Sequence, residues 1–179
     1  MSKIGKISIP IPEKVKVILS GNTINIEGPL GKKSLNIDLE TFVLDISQGK
    51  NVTLKPKKND KDSKRLWGMN RSLINNAIIG SSAGYTKTLE LVGVGYRAAL
   101  NGNQITLQLG FSHDINFDIP EGIKILVEKQ TIVKISGSDK QLVGMTVARI
   151  KSLRPPEPYK GKGIREQGQH ILRKEGKKK

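Results

Sequence analysis

Apolar residues along this chain follow two periods, and the changes between them mark out its elements. Strict alternation, the pattern of a half-buried strand, appears in three regions. The first runs through Val15-Lys16-Val17, turns at Ser20-Gly21-Asn22 and returns as Ile24-Asn25-Ile26 before Gly28-Pro29. The second holds Thr88-Leu89-Glu90-Leu91-Val92 and, after an Asn101-Gly102 turn, Ile105-Thr106-Leu107-Gln108-Leu109. The third holds Ile123-Lys124-Ile125 and Ile132-Val133-Lys134-Ile135. All three read as β-meander. Two segments carry a helical period instead. From Lys64 to Ile79, Leu66, Met69, Leu73 and Ala77 recur on one face, and Trp67 and Met69 are expected in the first core. From Asp139 to Leu153 the recurring residues are Leu142, Met145, Ile150 and Leu153. Arg154-Pro155 ends this second helix, because a residue before proline is pushed out of helical geometry.

The order of these elements is explained by an internal repeat. Leu19 to Ile26 aligns with Leu100 to Leu107 at an offset of 81, and Leu35 to Asp38 with Ile115 to Asp118 at 80. Lys64 to Met69 aligns with Lys140 to Met145 at 76. The polar run Lys55 to Ser63 absorbs the difference as a loop. A rival match of Ile11-Pro12-Glu13 with Ile119-Pro120-Glu121, at 108, leaves the helices unaligned and reads as two similar strand starts. The expectation is an α+β chain of two similar domains from an internal duplication, each an antiparallel-rich sheet packed with one helix. Their bounds are 1–82 and 83–153, with a basic extension over 154–179.

Charge adds a partner to this picture. The 179 residues carry a formal net charge of +15, a self-repulsion that an anionic partner would relieve. From Arg149 to Lys179 there are 11 basic and 3 acidic residues, so more than half the excess lies in the last 31 positions. No cysteine is present, which excludes disulfides and thiolate metal sites. No apolar run approaches the roughly 20 residues of a membrane helix. The Met1-Ser2-Lys3-Ile4-Gly5-Lys6 start has neither a secretory signal nor an import presequence, so the expected compartment is the one of synthesis.

Candidate catalytic chemistry does not assemble. Gly93-Val94-Gly95-Tyr96-Arg97-Ala98 fits a loose dinucleotide pattern, but that mechanism needs a helix to start there, and a hairpin turn and strand follow instead. A glycine-permitted bulge is the better reading. His113 and His170 stand 57 residues apart without ligand-spaced partners, and His113 reads as a turn residue. Glu13, Glu121 and Glu157 neighbour prolines at element boundaries, as solvated turn residues do. No nucleophile with an oriented base is present, and the chain is expected to be no enzyme and to use no cofactor, metal or small-molecule substrate.

One segment fits the charge. In Arg154-Pro155-Pro156-Glu157-Pro158-Tyr159-Lys160-Gly161-Lys162-Gly163-Ile164-Arg165, three prolines stiffen the chain and reduce the entropy lost on docking. Tyr159 is able to stack on an unpaired base, and Lys160, Lys162 and Arg165 supply cations for phosphate oxygens. Gly161 and Gly163 allow close backbone approach with amides free to donate. Lys140, Lys151 and Arg154 fall on one stripe of the second helix, opposite Leu142 and Leu153, and extend the basic surface. Arg173 and Lys174 carry it further, whereas Lys177-Lys178-Lys179 fits a solvated tail equally well. A stiff, proline-bound run with a lone aromatic is a poor choice for solubility alone.

Glu157 to Arg165 resembles the signature of the large-subunit ribosomal protein six family, of bacterial and organellar type. Leu91 to Ala98 and Leu109-Gly110-Phe111-Ser112-His113 resemble that family's second domain, and the opening from Ser2 to Pro12 is similar as well. The resemblance implies two duplicated α+β domains and a structural role in the large ribosomal subunit. It also implies binding to large-subunit rRNA near the stalk base and the sarcin–ricin loop, beside other large-subunit proteins, in bacterial cytoplasm or plastid stroma and away from membranes. The alternative is a free RNA-binding module or RNA chaperone outside the ribosome. Where the family usually has an aromatic after Gly-Ile-Arg, this chain has Glu166.

Overall fold

The computed structural model describes residues 3–47, 50–58 and 60–176, Ser47 by its backbone only. Lys177, Lys178 and Lys179 lie outside the described residues. The chain divides into two compact units, Met1–Gly84 with Ser138–Lys140, and Tyr85–Gly137 with Gln141–Lys179.

The first unit contains β1 (Ile9–Pro10), β2 (Lys16–Ser20), β3 (Thr23–Gly28), β4 (Gly31–Asn36), β5 (Phe42–Ser47), β6 (Asn51–Pro56) and α1 (Lys61–Ser82). These strands form two antiparallel sheets, β1-β6-β5 and β2-β3-β4. The second unit contains β7 (Tyr85–Val92), β8 (Arg97–Asn101), β9 (Gln104–Gln108), β10 (Ile115–Asp118), β11 (Ile123–Glu128), β12 (Ile132–Gly137), α2 (Lys140–Leu153) and β13 (Gly163–Glu166). Its sheets are β11-β12-β7-β13 and β10-β9-β8. Strand for strand, β1 to β6 correspond to β7 to β12. Ile9 pairs with Val52 as Leu89 pairs with Val133, and all four are buried. Ile24 and Ile26 occupy the places of Ile105 and Leu107, each without exposed surface. Both units therefore repeat one sheet–helix plan.

On α1 the buried face is largely a different one from that which the apolar spacing picks, whereas on α2 it is a rotated one that keeps Ile150, Leu142 and Leu153. Leu66, Met69 and Leu73 are exposed on α1, while Ser63, Trp67, Asn70, Ile74, Ala77, Ile78 and Ser81 face the core. That stripe has ideal helical spacing but includes Ser63, Asn70 and Ser81, so counting apolar residues rotates the expected face. On α2 the buried residues are Val143, Thr146, Val147 and Ile150, with Leu142 and Leu153 half-buried beside them and Met145 exposed. The hydroxyl of Thr146 donates to the Leu142 carbonyl at 2.8 Å, which makes its burial affordable. Trp67, Asn70 and Ile74 match Val143, Thr146 and Ile150 at the same offset of 76 found in the sequence. Most of the run Lys55 to Ser63 expected as a loop belongs to its flanking elements, since β6 runs to Pro56 and α1 begins at Lys61.

The units differ at one edge. β1 has two residues where β7 has eight, and β7 carries β13 on its free side. The segment from Arg154 onward is thus not a simple extension, because Gly163–Glu166 is the fourth strand of the second unit's larger sheet. Ile164 is fully buried in that core.

Candidate nucleic-acid interface

Gly163 pairs with Val92, so the chain before β13 and the turn after β7 lie at the same end of the sheet. That turn is Gly93-Val94-Gly95, with Gly95 at φ +79° and the Tyr96 amide donating to the Gly93 carbonyl at 3.3 Å. It joins two strands, rather than forming a bulge inside one, and no helix starts there. A Cβ on Gly93 would sit 2.9 Å from the Tyr96 ring, so glycine lets that ring fold back against its own turn. Arg154, just past α2, donates Nε to the Tyr96 hydroxyl at 3.3 Å. Its guanidinium lies 4.8 Å from the Phe111 ring centroid, and Phe111 stacks on His113 at 6.3 Å. Phe111 and His113 stand in the run that resembles the family's second domain, but nothing in the sequence places them beside Arg154.

Residues 157–162 fold into a tight loop rather than an extended proline run. The Glu157 amide donates to the Lys162 carbonyl at 2.7 Å, and the Gly161 amide donates back to the Glu157 carbonyl at 3.1 Å. Gly161 and Gly163 are buried, and the Gly161 amide is used within the loop, so it is not free for a ligand. Gly163 has φ +139°, and a Cβ there would come 2.6 Å from the Pro155 carbonyl oxygen. These glycines shape the loop. Its tip presents Tyr159, 52% exposed, together with exposed Lys160 and Lys162. The Lys174 amide bonds the Pro158 carbonyl at 2.8 Å and brings the C-terminal segment alongside. There the Arg173 guanidinium approaches Gly161.

The eleven residues nominated by sequence therefore separate. Arg154, Tyr159, Lys160, Lys162, Arg173 and Lys174 gather at one end of the second unit. Among the described residues, none of their cations forms an ion pair with a carboxylate. Lys140 is exposed at the start of α2, about 20 Å of helix away from Arg154. Arg165 and Lys151 are half-buried and already paired within the protein: Arg165 pairs with Glu90 at 2.9 Å, and Lys151 with Glu166 at 3.4 Å. Glu166 also accepts from Lys87 at 3.2 Å. The Lys87 hydrogen bond, and then Lys151, hold the Glu166 carboxyl below the usual carboxylate range against the opposing effect of partial burial. The supposed stripe of Lys140, Lys151 and Arg154 is accordingly not one free basic surface, because a carboxylate from β13 meets it midway.

Among the described residues no cluster of three or more His, Asp or Glu side chains is placed to hold a metal. Among the same residues no helix is long and apolar enough to cross a membrane. What the cluster offers is exposed cations and one aromatic face on a fixed loop.

A family model described as Ribosomal protein L6 matches residues 92–167, which covers β8 to β13 and this loop. The large ribosomal subunit protein uL6 of Phenylobacterium zucineum is 48% identical over the full length of both chains. That of Caulobacter vibrioides is also 48% identical over both full lengths. That of Synechococcus sp. is 46% identical over 99% of this chain and 98% of its own. With similarity of this extent running through both units, the chain belongs to the ribosomal protein L6 family.

Proposed function

We propose that this chain is a structural, non-enzymatic constituent of the large ribosomal subunit, and that it binds large-subunit rRNA through the loop end of its second unit. The observation that carries the RNA contact is the group of Arg154, Tyr159, Lys160, Lys162, Arg173 and Lys174, whose cations form no ion pair with a carboxylate among the described residues. Phosphate contacts position a protein on RNA, and an exposed ring adds stacking on an unpaired base. The 157–162 loop is internally bonded, so little order is lost when it docks. On this reading the contact lies near the stalk base and the sarcin–ricin loop, beside other large-subunit proteins, and membership of the family supports it.

Sedimentation of cell extract through a sucrose gradient tests this reading. The chain should travel with the large subunit and leave it only when the subunit is stripped at high salt. A chain confined to the top of the gradient would favour a free RNA-binding module or chaperone.

A further inference from the structure

The charge excess of this protein has two centres, and the second is in the first unit. Lys50 to Arg71 contains eight basic and two acidic residues. The preceding 49 residues hold six basic and five acidic, and residues 85–148 hold six of each. Nearly all of the first unit's surplus therefore lies along β6, the first half of α1 and the sequence between them.

The fold brings these cations together. The Trp67 indole donates to the Leu54 carbonyl at 2.6 Å and fastens the second turn of α1 to the end of β6. Lys55 follows that carbonyl on β6, and Lys64 lies one helical turn before Trp67. Lys61, Lys64 and Arg65 are spaced three and four apart, which puts them on one face of α1, away from the stripe that holds Ile74 and Asn70. The exposed Leu66, Met69 and Leu73 lie on the other flank of the helix. Among the described residues, Lys55, Lys57, Lys58, Lys61 and Lys64 form no ion pair. Arg65 meets Asp62 only at 3.4 Å, with both side chains more than four-fifths exposed. Cations that so outnumber the nearby acids, Asp38 by Lys57 and Asp62 by Arg65, raise one another's energy, and a polyanion relieves that.

We infer that the first unit carries its own phosphate-binding surface, formed by Lys55, Lys57, Lys58, Lys61, Lys64 and Arg65, which takes the sugar–phosphate backbone of a second stretch of RNA. This rests on the rRNA reading above and extends it from one contact to two. The surface has cations but no exposed aromatic, since Trp67 is buried against Leu54. It therefore grips the backbone without reading bases, in contrast with the Tyr159 loop. Tethered in one chain, the two contacts reinforce each other.

Hydroxyl-radical footprinting of large-subunit rRNA with the full chain tests it, alongside the salt dependence of binding. Three variants are compared: Lys57→Gln with Lys58→Gln and Lys61→Gln; Lys160→Ala with Lys162→Ala; and a scattered control, Lys14→Gln with Lys16→Gln and Lys124→Gln. The first should lose one block of protected nucleotides and keep the block that the second loses. Its log affinity against log salt should flatten by about 2–3, at roughly 0.7–0.9 per phosphate contact. The control should keep both blocks. Wild-type protection and slope in the first variant would overturn the inference and leave an acidic protein segment as the occupant. So would an equal loss in the control, which would reduce the effect to overall charge. A wild-type chain that protects no nucleotides would overturn the rRNA reading itself, and this inference with it.

Discussion

Arg165 on β13 and Glu90 on β7 face each other across the ladder, and one carboxylate oxygen of Glu90 receives both Nε, at 3.0 Å, and Nη2, at 2.9 Å, of the guanidinium. The pair fastens the strand that has no counterpart in the first unit. Arg165 is thereby a positioning residue for the loop ahead of it. Arg165→Gln is expected to cost about 1 kcal/mol of stability, since the pair is partly exposed and solvent-screened. It should leave the salt slope of RNA binding unchanged. Chemical unfolding and a salt titration check both, and a flattened slope would return Arg165 to the phosphate contacts.

Gly163 and Gly144 make an internal contrast. Alanine at Gly163 must hold φ +139° with its Cβ against the Pro155 carbonyl, whereas Gly144 lies in α2 with nothing within 4 Å. Gly163→Ala should destabilise the protein by about 1–3 kcal/mol. Gly144→Ala should stabilise it by about 0.5–1 kcal/mol, because alanine restricts the unfolded chain and favours helix. Denaturant midpoints moving in the same direction would contradict the account of the loop.

Glu166 links stability to pH. Its folded pKa is depressed, so the unfolded chain binds the proton more readily. The stability it contributes is present above the ordinary carboxylate range and is lost as pH falls through the depressed folded value. Wild type should exceed Glu166→Gln in unfolding free energy by about 1 kcal/mol near neutral pH, a gap that closes as pH falls below the ordinary carboxylate range. A gap unchanged by acid would mean that Lys87 and Lys151 do not act on this carboxylate.

Tyr159 separates stacking from packing. Its ring is half exposed at the loop tip. Tyr159→Ala should weaken RNA binding by about 1–3 kcal/mol if the ring stacks on a base. Thermal stability should hardly move. A large loss of stability with equal RNA affinity would make the ring a packing residue.

The repeat was legible because buried β-branched residues recur at fixed offsets, as Ile24 and Ile105 or Val52 and Val133 do. The face of α1 was misread, and that of α2 drawn off-centre, because Asn70 and Thr146 are buried polar residues, whose inclusion depends on core partners that a local window does not contain. The pairing of β13 was hidden for a related reason. Gly-Ile-Arg-Glu is too short for a period, and its partner strand lies more than 70 residues earlier. Residue types in the loop pointed to RNA, but which cations stay free depends on Glu90 and Glu166, acids that only folding brings near. Gly161 likewise looked available until its amide was seen to bond Glu157.

The central claim is that the Tyr159–Lys162 tip grips large-subunit rRNA, and the Lys160→Ala/Lys162→Ala double variant tests it most directly. Both side chains are exposed, so the folded state should be intact by circular dichroism and thermal melting. Binding to large-subunit rRNA, measured across a salt series, should weaken, with the slope of log affinity against log salt reduced by about 1.4–1.8. A folded double variant with wild-type affinity and slope would contradict the account.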